Sequence, residues 1–270
     1  MWIRAAVTRA KGAPFEIRQV ELEPCRPDEI QVKIEAAGIC HTDEAAQMQQ
    51  LPVPLPAVLG HEGAGVVEAV GSAVTEFKPG DHVALSYASC GSCGPCVAGR
   101  PYACENMVGL NFMGVMPDGT RRHTLDGVRL GSFFSQSSFA TRAVVKARNA
   151  VKVDRDLDLG LVAPFGCGVQ TGAGIVLNSL KPEFGSSIAV FGCGTVGMSA
   201  IMAARIAGCR NIVAVGGNPR SLELALEVGA THAINRRETE DIPGIPAGHP
   251  VRHQPLPAGR INFRKRGLFI

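Results

Sequence analysis

Four cysteines lie close together in the middle of the chain. Cys90, Cys93, Cys96 and Cys104 follow the spacing C-x2-C-x2-C-x7-C. Glycine and proline between them allow one loop to fold back and place four thiolates around a tetrahedral zinc ion. An iron–sulfur cluster is the competing assignment, although the spacing lacks the fourth cysteine of the ferredoxin pattern. A site closed by four thiolates has no open position for a substrate, so its predicted role is structural.

A glycine-rich segment follows the short apolar run at residues 187–191 and precedes a predicted helix. The segment has the G-x-G-x-x-G pattern and comprises Gly192, Cys193, Gly194, Thr195, Val196 and Gly197. In this context the pattern predicts a dinucleotide-binding loop. Its first glycine permits the turn, its second admits the pyrophosphate and its third allows close packing of helix and strand. The helix N-terminus would face the phosphates.

The tip of the next predicted strand departs from this fingerprint. An acidic residue about 20 residues after the glycines normally binds the ribose hydroxyls. Here residues 213–215 are followed by Gly216, Gly217 and Asn218, without a carboxylate. The missing acid and the nearby Arg220 remove the repulsion that excludes a 2′-phosphate, so we expect NADP to be tolerated or preferred. Alternatively, Arg220 is a solvated residue in the first turn of the following helix.

Three other residues have side chains that suit metal binding but lie far apart in the sequence. Cys40 follows a predicted strand, His61 precedes an apolar run in Gly60-His61-Glu62, and Cys167 lies between two glycines. Each residue alone is more typical of a structural position than of a metal ligand.

Together these segments resemble the zinc-containing medium-chain alcohol dehydrogenases. Residues 60–74 match the zinc signature of that family. Residues 40–43, the four-cysteine loop and residues 166–168 occur in the order that the family shows. The resemblance covers about residues 3–235. The aryl-alcohol (benzyl-alcohol) dehydrogenase branch is the most similar over two stretches, residues 133–147 and 167–181.

The resemblance implies an open, catalytic zinc site with water or substrate as fourth ligand. Its protein ligands would be Cys40, His61 and Cys167. Two thiolates and a neutral imidazole leave zinc acidic enough to lower the pKa of an alcohol. Thr42 would accept the hydroxyl proton of the substrate, unless it only caps the loop. Asp43 and Glu62 would orient the ligands from behind.

Two more positions follow from the resemblance. His41 would contact the pyrophosphate of the cofactor. Ala45 stands where many relatives have a histidine that relays the proton to solvent, so the proton must leave through water or a ribose of the cofactor. The aryl-alcohol branch uses NAD.

The elements that position these residues fall into an α/β fold. Short alternating segments, such as residues 30–35 and 82–85, predict a β-rich domain over residues 1–158. The resemblance implies that this domain is a GroES-like catalytic domain. Alternating strands and helices then predict a partial Rossmann domain, a doubly wound parallel sheet, over residues 159–238. The predicted strands lie at 187–191, 211–215 and 233–234, and the helices at 198–207 and 220–228. Residues 239–270 are rich in proline and predict an irregular basic tail.

Charge and composition argue against nucleic-acid binding and membrane insertion, and they favour a cytoplasmic protein. The net charge of +3 comes from five basic residues after Asp241, which predict a solvated tail rather than a nucleic-acid site. The uncharged stretches at 159–180 and 184–204 contain polar residues and glycines, so we interpret them as buried elements and not as membrane spans. No secretory signal is visible, and nine cysteines favour a reducing, cytoplasmic compartment.

The predicted activity is zinc-dependent oxidation of a primary, aromatic alcohol to an aldehyde, with hydride transfer to NAD or NADP. The predicted metal content is two zinc ions per chain. A polyol or a glutathione adduct of formaldehyde is an alternative substrate. The resemblance ends near residue 235, where family members continue with further strands, including the strand through which they form homo-oligomers. A second interpretation is therefore a catalytically silent, zinc-binding remnant.

Overall fold

The computed structural model describes residues 1–238 and 267–269. The chain divides into two units, Met1–Cys167 and Gly168–Ile270. The predicted tail, residues 239–270, lies outside the described residues except for a short strand at residues 267–269.

The first unit contains two five-stranded antiparallel sheets, as the β-rich prediction requires. One sheet has the order β4-β1-β2-β7-β8 and the other β10-β6-β5-β3-β9. Their strands are β1 (Trp2–Thr8), β2 (Glu16–Leu22), β3 (Glu29–Ala37), β4 (Ala57–Val58), β5 (Gly63–Val70), β6 (His82–Leu85), β7 (His123–Leu125), β8 (Val128–Leu130), β9 (Arg142–Lys146) and β10 (Ala150–Val153).

Alternation of apolar and polar residues explains why these segments form half-buried strands. In β1, Ile3, Ala5 and Val7 are buried, whereas Trp2 and Arg4, which precede Ile3 and Ala5, are exposed. A period of two directs every second side chain to the core face of a sheet. The buried residues of β1 pack with those of β2, β7 and β8 in one apolar core.

Helices of the first unit are short and connect the strands. They are α1 (His41–Gln47), α2 (Gly94–Val97), α3 (Met107–Phe112) and α4 (Leu159–Val162), with 3₁₀ turns at Pro101–Ala103, Ala147–Asn149 and Ala163–Gly166. The unit extends past residue 158 because Val162 and Ala163 are buried against Ala64 and Ala84 of the second sheet. This packing brings Cys167 to the end of the first unit.

The second unit is a parallel sheet flanked by helices, so the predicted Rossmann-type fold is confirmed. Its sheet has the order β13-β12-β11-β14, and each neighbouring pair is parallel. The elements are α5 (Gly168–Gly174), a π-helix (Ile175–Leu180), β11 (Ser187–Phe191), α6 (Thr195–Ile206), β12 (Asn211–Gly216), α7 (Pro219–Val228), β13 (His232–Asn235) and β14 (Gly267–Phe269). Helix α6 begins at Thr195, earlier than predicted, because the last glycine of the loop belongs to its first turn.

Among the described residues, no single helix is long and apolar enough to cross a bilayer. In the described part of the chain, one bent pair, Leu159–Gly166 and Gly168–Leu180, reaches that length and composition when its two helices are taken together across a break.

Candidate metal centres and cofactor loop

Cys40 lies where β3 gives way to α1. It is the N-cap of α1 and has an extended backbone, with φ −117° and ψ 152°. The backbone N–H of Thr42 donates to Cys40 Sγ at 3.5 Å, and the Thr42 hydroxyl lies 3.5 Å from the same sulfur. The helix start thus fixes the thiol and keeps the Thr42 hydroxyl beside it.

His61 is positioned by a sharp turn before β5. Gly60 has a φ of +91°, and a side chain there would overlap the backbone and ring of Phe139, so glycine is required. His61 is 1% exposed, and its Nδ1 lies 3.0 Å from Asp43 Oδ1. A proton on Nδ1 leaves the lone pair on Nε2 for a metal.

Asp43 links the two segments that carry Cys40 and His61. Its Oδ1 also accepts the backbone N–H of Gly60 at 3.1 Å, and its Oδ2 accepts the backbone N–H of Cys40 at 3.0 Å. The carboxylate is 2% exposed. A buried carboxylate that accepts three donors orients the imidazole and the thiol together.

Cys167 completes the cluster. It follows the 3₁₀ turn Ala163–Gly166, and its Sγ lies within 4.8 Å of ligand atoms of Cys40, His61 and Glu62. His61 Nε2 is buried and has no hydrogen-bond partner among the described residues. Because buried polar atoms are almost always paired, this orphaned nitrogen, with two sulfurs close to it, fits a metal ligand. Two cysteines and one histidine are a donor set that zinc prefers.

The donor groups shift one another's pKa values. The pKa of the Cys40 thiol falls to about 3 because Cys167 and His61 lie beside its thiolate. Burial lowers the pKa of His61, but Asp43 and Cys40 outweigh it and raise the value to about 9. The neighbouring Cys40 thiolate and burial raise the pKa of the Cys167 thiol far above its usual range. A divalent cation would offset the negative charges that this cluster gathers.

Aromatic rings surround His61 on one side. The ring of Phe134 stacks on the imidazole with 4.5 Å between centroids, and Phe133 meets it edge-on at 5.5 Å. Phe112 packs against Phe134 at 5.2 Å. Phe133 is fully buried, whereas Phe112 and Phe134 are half-buried. An apolar, aromatic surface therefore adjoins the cluster.

The four cysteines of the loop form a second cluster. Their sulfur atoms all lie within 4.8 Å of one another. Backbone N–H groups of Ser92 and Cys93 donate to Cys90 Sγ at 3.5 and 3.3 Å, and these bonds lower the pKa of Cys90 to about 5. Desolvation and the neighbouring thiols raise the pKa of Cys96 to about 12. Four sulfurs at this spacing suit a closed tetrahedral site.

The glycine loop joins β11 to α6 in the second unit. Gly192 has a φ of +103°, which permits the turn, and a side chain on Gly197 would overlap the carbonyl oxygen of Gly192. Gly194 has open space beside it, and Thr195 begins α6. The loop thus has the backbone that a bound pyrophosphate needs.

The remaining predicted cofactor residues lie at two places. His41 is exposed at the first position of α1. Gly216 is buried at the end of β12, and the Asn218 side chain caps α7 by accepting the N–H of Arg220 at 3.0 Å. Val196 is partly exposed in the first turn of α6. Their roles in binding a cofactor stay predictions.

Two family models match the chain. The alcohol dehydrogenase GroES-like domain matches residues 26–155, and the zinc-binding dehydrogenase model matches residues 195–246. The chain belongs to the zinc-containing alcohol dehydrogenases.

Individual members of this family are similar over most of the chain. Geraniol dehydrogenase of Castellaniella defragrans is 46% identical over 88% of this chain and 64% of its own. An alcohol dehydrogenase zinc-binding domain protein from Burkholderia ambifaria is 52% identical in sequence. Its crystal structure matches with a TM-score of 0.86 over 89% of this chain and 65% of that one. Benzyl alcohol dehydrogenase from Acinetobacter calcoaceticus is 46% identical, with a TM-score of 0.84 over the same shares. The chain thus spans slightly less than two thirds of the length of these relatives.

The structure also adds a positioning residue that the sequence patterns did not single out. Gln136 is buried, its Nε2 donates to the carbonyl of His61 at 2.9 Å, and its Oε1 accepts the N–H of Gly63 at 3.2 Å. Gln136 therefore holds the start of β5 in place. In the sequence, the position of Gln136 as a polar residue in a segment with three phenylalanines was the only indication of this role.

Proposed function

We propose that the chain catalyses the oxidation of a primary alcohol to an aldehyde, with zinc bound by Cys40, His61 and Cys167 and with a nicotinamide dinucleotide as hydride acceptor. The observation that carries the proposal is the buried, unpartnered Nε2 of His61 beside two cysteine sulfurs. Three protein ligands leave the fourth position of a tetrahedral ion open for the substrate oxygen. When bound, zinc supplies a Lewis acid that lowers the pKa of the alcohol, and nicotinamide accepts the hydride.

Thr42 is the residue that we assign to proton transfer. Thr42 is half-buried and its hydroxyl lies 3.5 Å from Cys40 Sγ, so it adjoins the cluster. A hydroxyl both accepts and donates, so Thr42 Oγ1 takes the proton of the alcohol and passes its own proton to water. The overall balance is alcohol plus oxidised cofactor to aldehyde, reduced cofactor and one proton.

Asp43 and Glu62 hold the cluster together. Asp43 fixes the imidazole through Nδ1, as an outer carboxylate does for a metal-bound histidine. A Glu62 carboxylate oxygen lies within 4.8 Å of the donor atoms of the three ligands. Its negative charge adds to the field that retains a cation in the cluster.

The loop of Cys90, Cys93, Cys96 and Cys104 would hold a second, structural zinc ion. Its four thiolates leave no open position, so the ion would order residues 90–104 without touching the substrate. The proposed content is therefore one zinc ion for each of the two clusters.

We assign an aromatic or otherwise unsaturated primary alcohol as substrate. The rings of Phe112 and Phe134 provide an aromatic surface next to His61. Aromatic rings gain energy by stacking beyond the burial of their area. Two of the similar proteins bear the names of dehydrogenases for benzyl alcohol and geraniol, and both compounds carry an unsaturated carbon next to the alcohol carbon.

Steady-state turnover of the zinc-loaded chain tests this assignment. We expect benzyl alcohol and geraniol to give a higher kcat/KM than sorbitol or S-(hydroxymethyl)glutathione. A higher value for sorbitol would identify a polyol dehydrogenase, and a higher value for the glutathione adduct would identify a formaldehyde-detoxifying enzyme. Two bound zinc ions without turnover of any of the four compounds would contradict the catalytic proposal and favour the silent remnant.

A further inference from the structure

The tip of β12 in the second unit carries no negative charge. β12 ends at Gly216, and Gly217 and Asn218 follow before α7 begins. In dinucleotide-binding sheets this tip faces the adenosine ribose, and an acidic residue there binds the ribose hydroxyls. Such a carboxylate would also repel a phosphate on the 2′-oxygen. This tip imposes no repulsion of that kind.

Two arginines from the neighbouring strand lie beside the same tip. β13 runs parallel to β12 and pairs Asn235 with Gly216, so the next two residues leave the sheet there. The backbone N–H of Arg236 donates to the carbonyl of Gly216 at 2.8 Å. A methyl group placed on Gly217 would lie 3.2 Å from Nε of both Arg236 and Arg237. The two guanidinium groups therefore border one small space that the glycine leaves open.

Among the described residues, neither arginine has a carboxylate partner. Within residues 1–238, no carboxylate lies within 4.0 Å of either guanidinium group. Glu238, the next acidic residue along the chain, instead accepts the side-chain amide of Asn235 at 2.7 Å. Asn235 Oδ1 accepts the backbone N–H of Arg237 at 3.1 Å and fixes the chain at this point. Both arginine side chains are exposed, so a ligand can reach them from solvent.

We infer that Arg236 and Arg237 bind the 2′-phosphate of NADP, and that the chain selects NADP over NAD through them. The inference rests on the proposed function because it concerns the cofactor of that reaction. A phosphate monoester carries about two negative charges near neutral pH and presents several acceptor oxygens. Guanidinium groups match such oxygens with parallel N–H donors. Arg220, which the sequence singled out, lies in the first turn of α7, whereas the arginines after β13 border the tip itself.

The test compares two probes that differ only in the 2′-phosphate, adenosine 2′,5′-bisphosphate and 5′-AMP. Isothermal titration of the full chain measures the affinity for each probe without any turnover. We expect the bisphosphate to bind at least about tenfold more tightly, because hydrogen bonds to charged groups are among the stronger ones. In the Arg236→Ala/Arg237→Ala double variant, the affinity for the bisphosphate should fall to that for 5′-AMP. The affinity for 5′-AMP should stay within about twofold of the wild-type value, because exposed substitutions rarely disturb a fold.

A matched control removes the same charge at the opposite end of β12. Arg210 is exposed and directly precedes β12, so Arg210→Ala should leave the preference for the bisphosphate unchanged. An Arg236→Lys/Arg237→Lys double variant keeps the charges but loses the forked donors, so its preference should be intermediate. Circular dichroism and thermal midpoints equal to the wild type would establish that each variant is folded.

The outcomes separate this inference from the proposed function. Equal wild-type affinity for the two probes overturns the role of the arginines and leaves a dinucleotide site intact. A preference that persists in the double alanine variant also overturns it, because other residues must then bind the phosphate. Binding of neither probe overturns both the inference and the hydride acceptor of the proposed function.

Discussion

The two cysteine-containing clusters of the first unit are built in opposite ways. The loop cluster takes its four sulfurs from residues 90–104, and backbone N–H groups of the same loop donate to the sulfurs of Cys90 and Cys104. The other cluster gathers Cys40, His61 and Cys167 from three separate segments and buries the histidine. The loop cluster offers four cysteine sulfurs, which would fill a tetrahedral zinc ion, whereas the three proposed ligands of the dispersed cluster would leave one position open.

Under the proposed function, this difference assigns stability to the loop cluster and catalysis to the dispersed cluster. A closed site stabilises the fold around it but offers nothing to a substrate. An open site depends on side chains such as Asp43 to hold its few ligands in place. We therefore expect substitutions in the dispersed cluster to affect turnover first, and substitutions in the loop cluster to affect unfolding first.

The largest effect is expected at the dispersed cluster. Cys167→Ala removes one of the three proposed ligands, so kcat/KM for benzyl alcohol should fall by roughly a thousandfold, since Lewis-acid stabilisation contributes several kcal/mol. Steady-state kinetics with zinc in excess measures this loss. Cys25→Ala is the matched control, because Cys25 is a half-buried thiol of the same unit outside both clusters. A Cys167→Ala variant that keeps wild-type activity would break the distinction between the clusters.

At the loop cluster, the effect should appear in stability. Cys96→Ala should lower the free energy of unfolding by about 3 kcal/mol or more, part of the ~10–16 kcal/mol that zinc supplies in small structural sites. Urea unfolding measures the change. The activity per folded molecule should fall much less than in Cys167→Ala. A loss of activity without any loss of stability would show that the loop cluster takes part in catalysis.

Asp43→Asn sharpens the comparison by leaving all ligands in place. An asparagine has one acceptor oxygen where the carboxylate has two, so its NH2 group must face either the N–H of Cys40 or the donors of Gly60 and His61. The side chain then no longer orients the imidazole and the thiol together. We expect about 10–100-fold weaker metal binding at the dispersed cluster, with the loop cluster unaffected. Competition titration with a chelator measures the two affinities. Glu44→Gln, an exposed carboxyl on the same helix, should have no effect.

The smallest expected effect is on the free energy of unfolding, at the contact between Arg148 and the loop cluster. Arg148 donates from Nη1 to the carbonyl of Cys90 at 2.8 Å and is exposed. Arg148→Ala should lower the free energy of unfolding by about 0.5–1.5 kcal/mol, the contribution of one hydrogen bond. Equilibrium unfolding in urea detects it, and turnover should not change. A larger loss than that of Cys96→Ala would mean that the arginine, and not the thiolates, organises the loop.

Sequence patterns predicted the features that depend on residues close together along the chain. The cysteine spacing predicted the loop cluster, and the apolar runs predicted the strands and helices around the glycine loop. Cys40, His61 and Cys167 could be grouped only through the family resemblance, because tertiary packing and not spacing brings them together.

Other features had no pattern to reveal them. Phe134 reaches the His61 ring from a backbone with a φ of +50°, which phenylalanine rarely adopts and no local propensity predicts. Arg236 and Arg237 lie beside Gly217 only because β13 pairs in parallel with β12. Residue types alone do not predict contacts that depend on strand register.

The zinc content per chain tests the account most directly. Mass spectrometry of the metal in purified wild-type protein should give one zinc ion for each of the two clusters. Cys167→Ala and Cys96→Ala should each lose one ion, and the double variant should lose both. A wild-type ratio below two, or the loss of both ions from Cys167→Ala alone, would contradict two independent sites with separate roles.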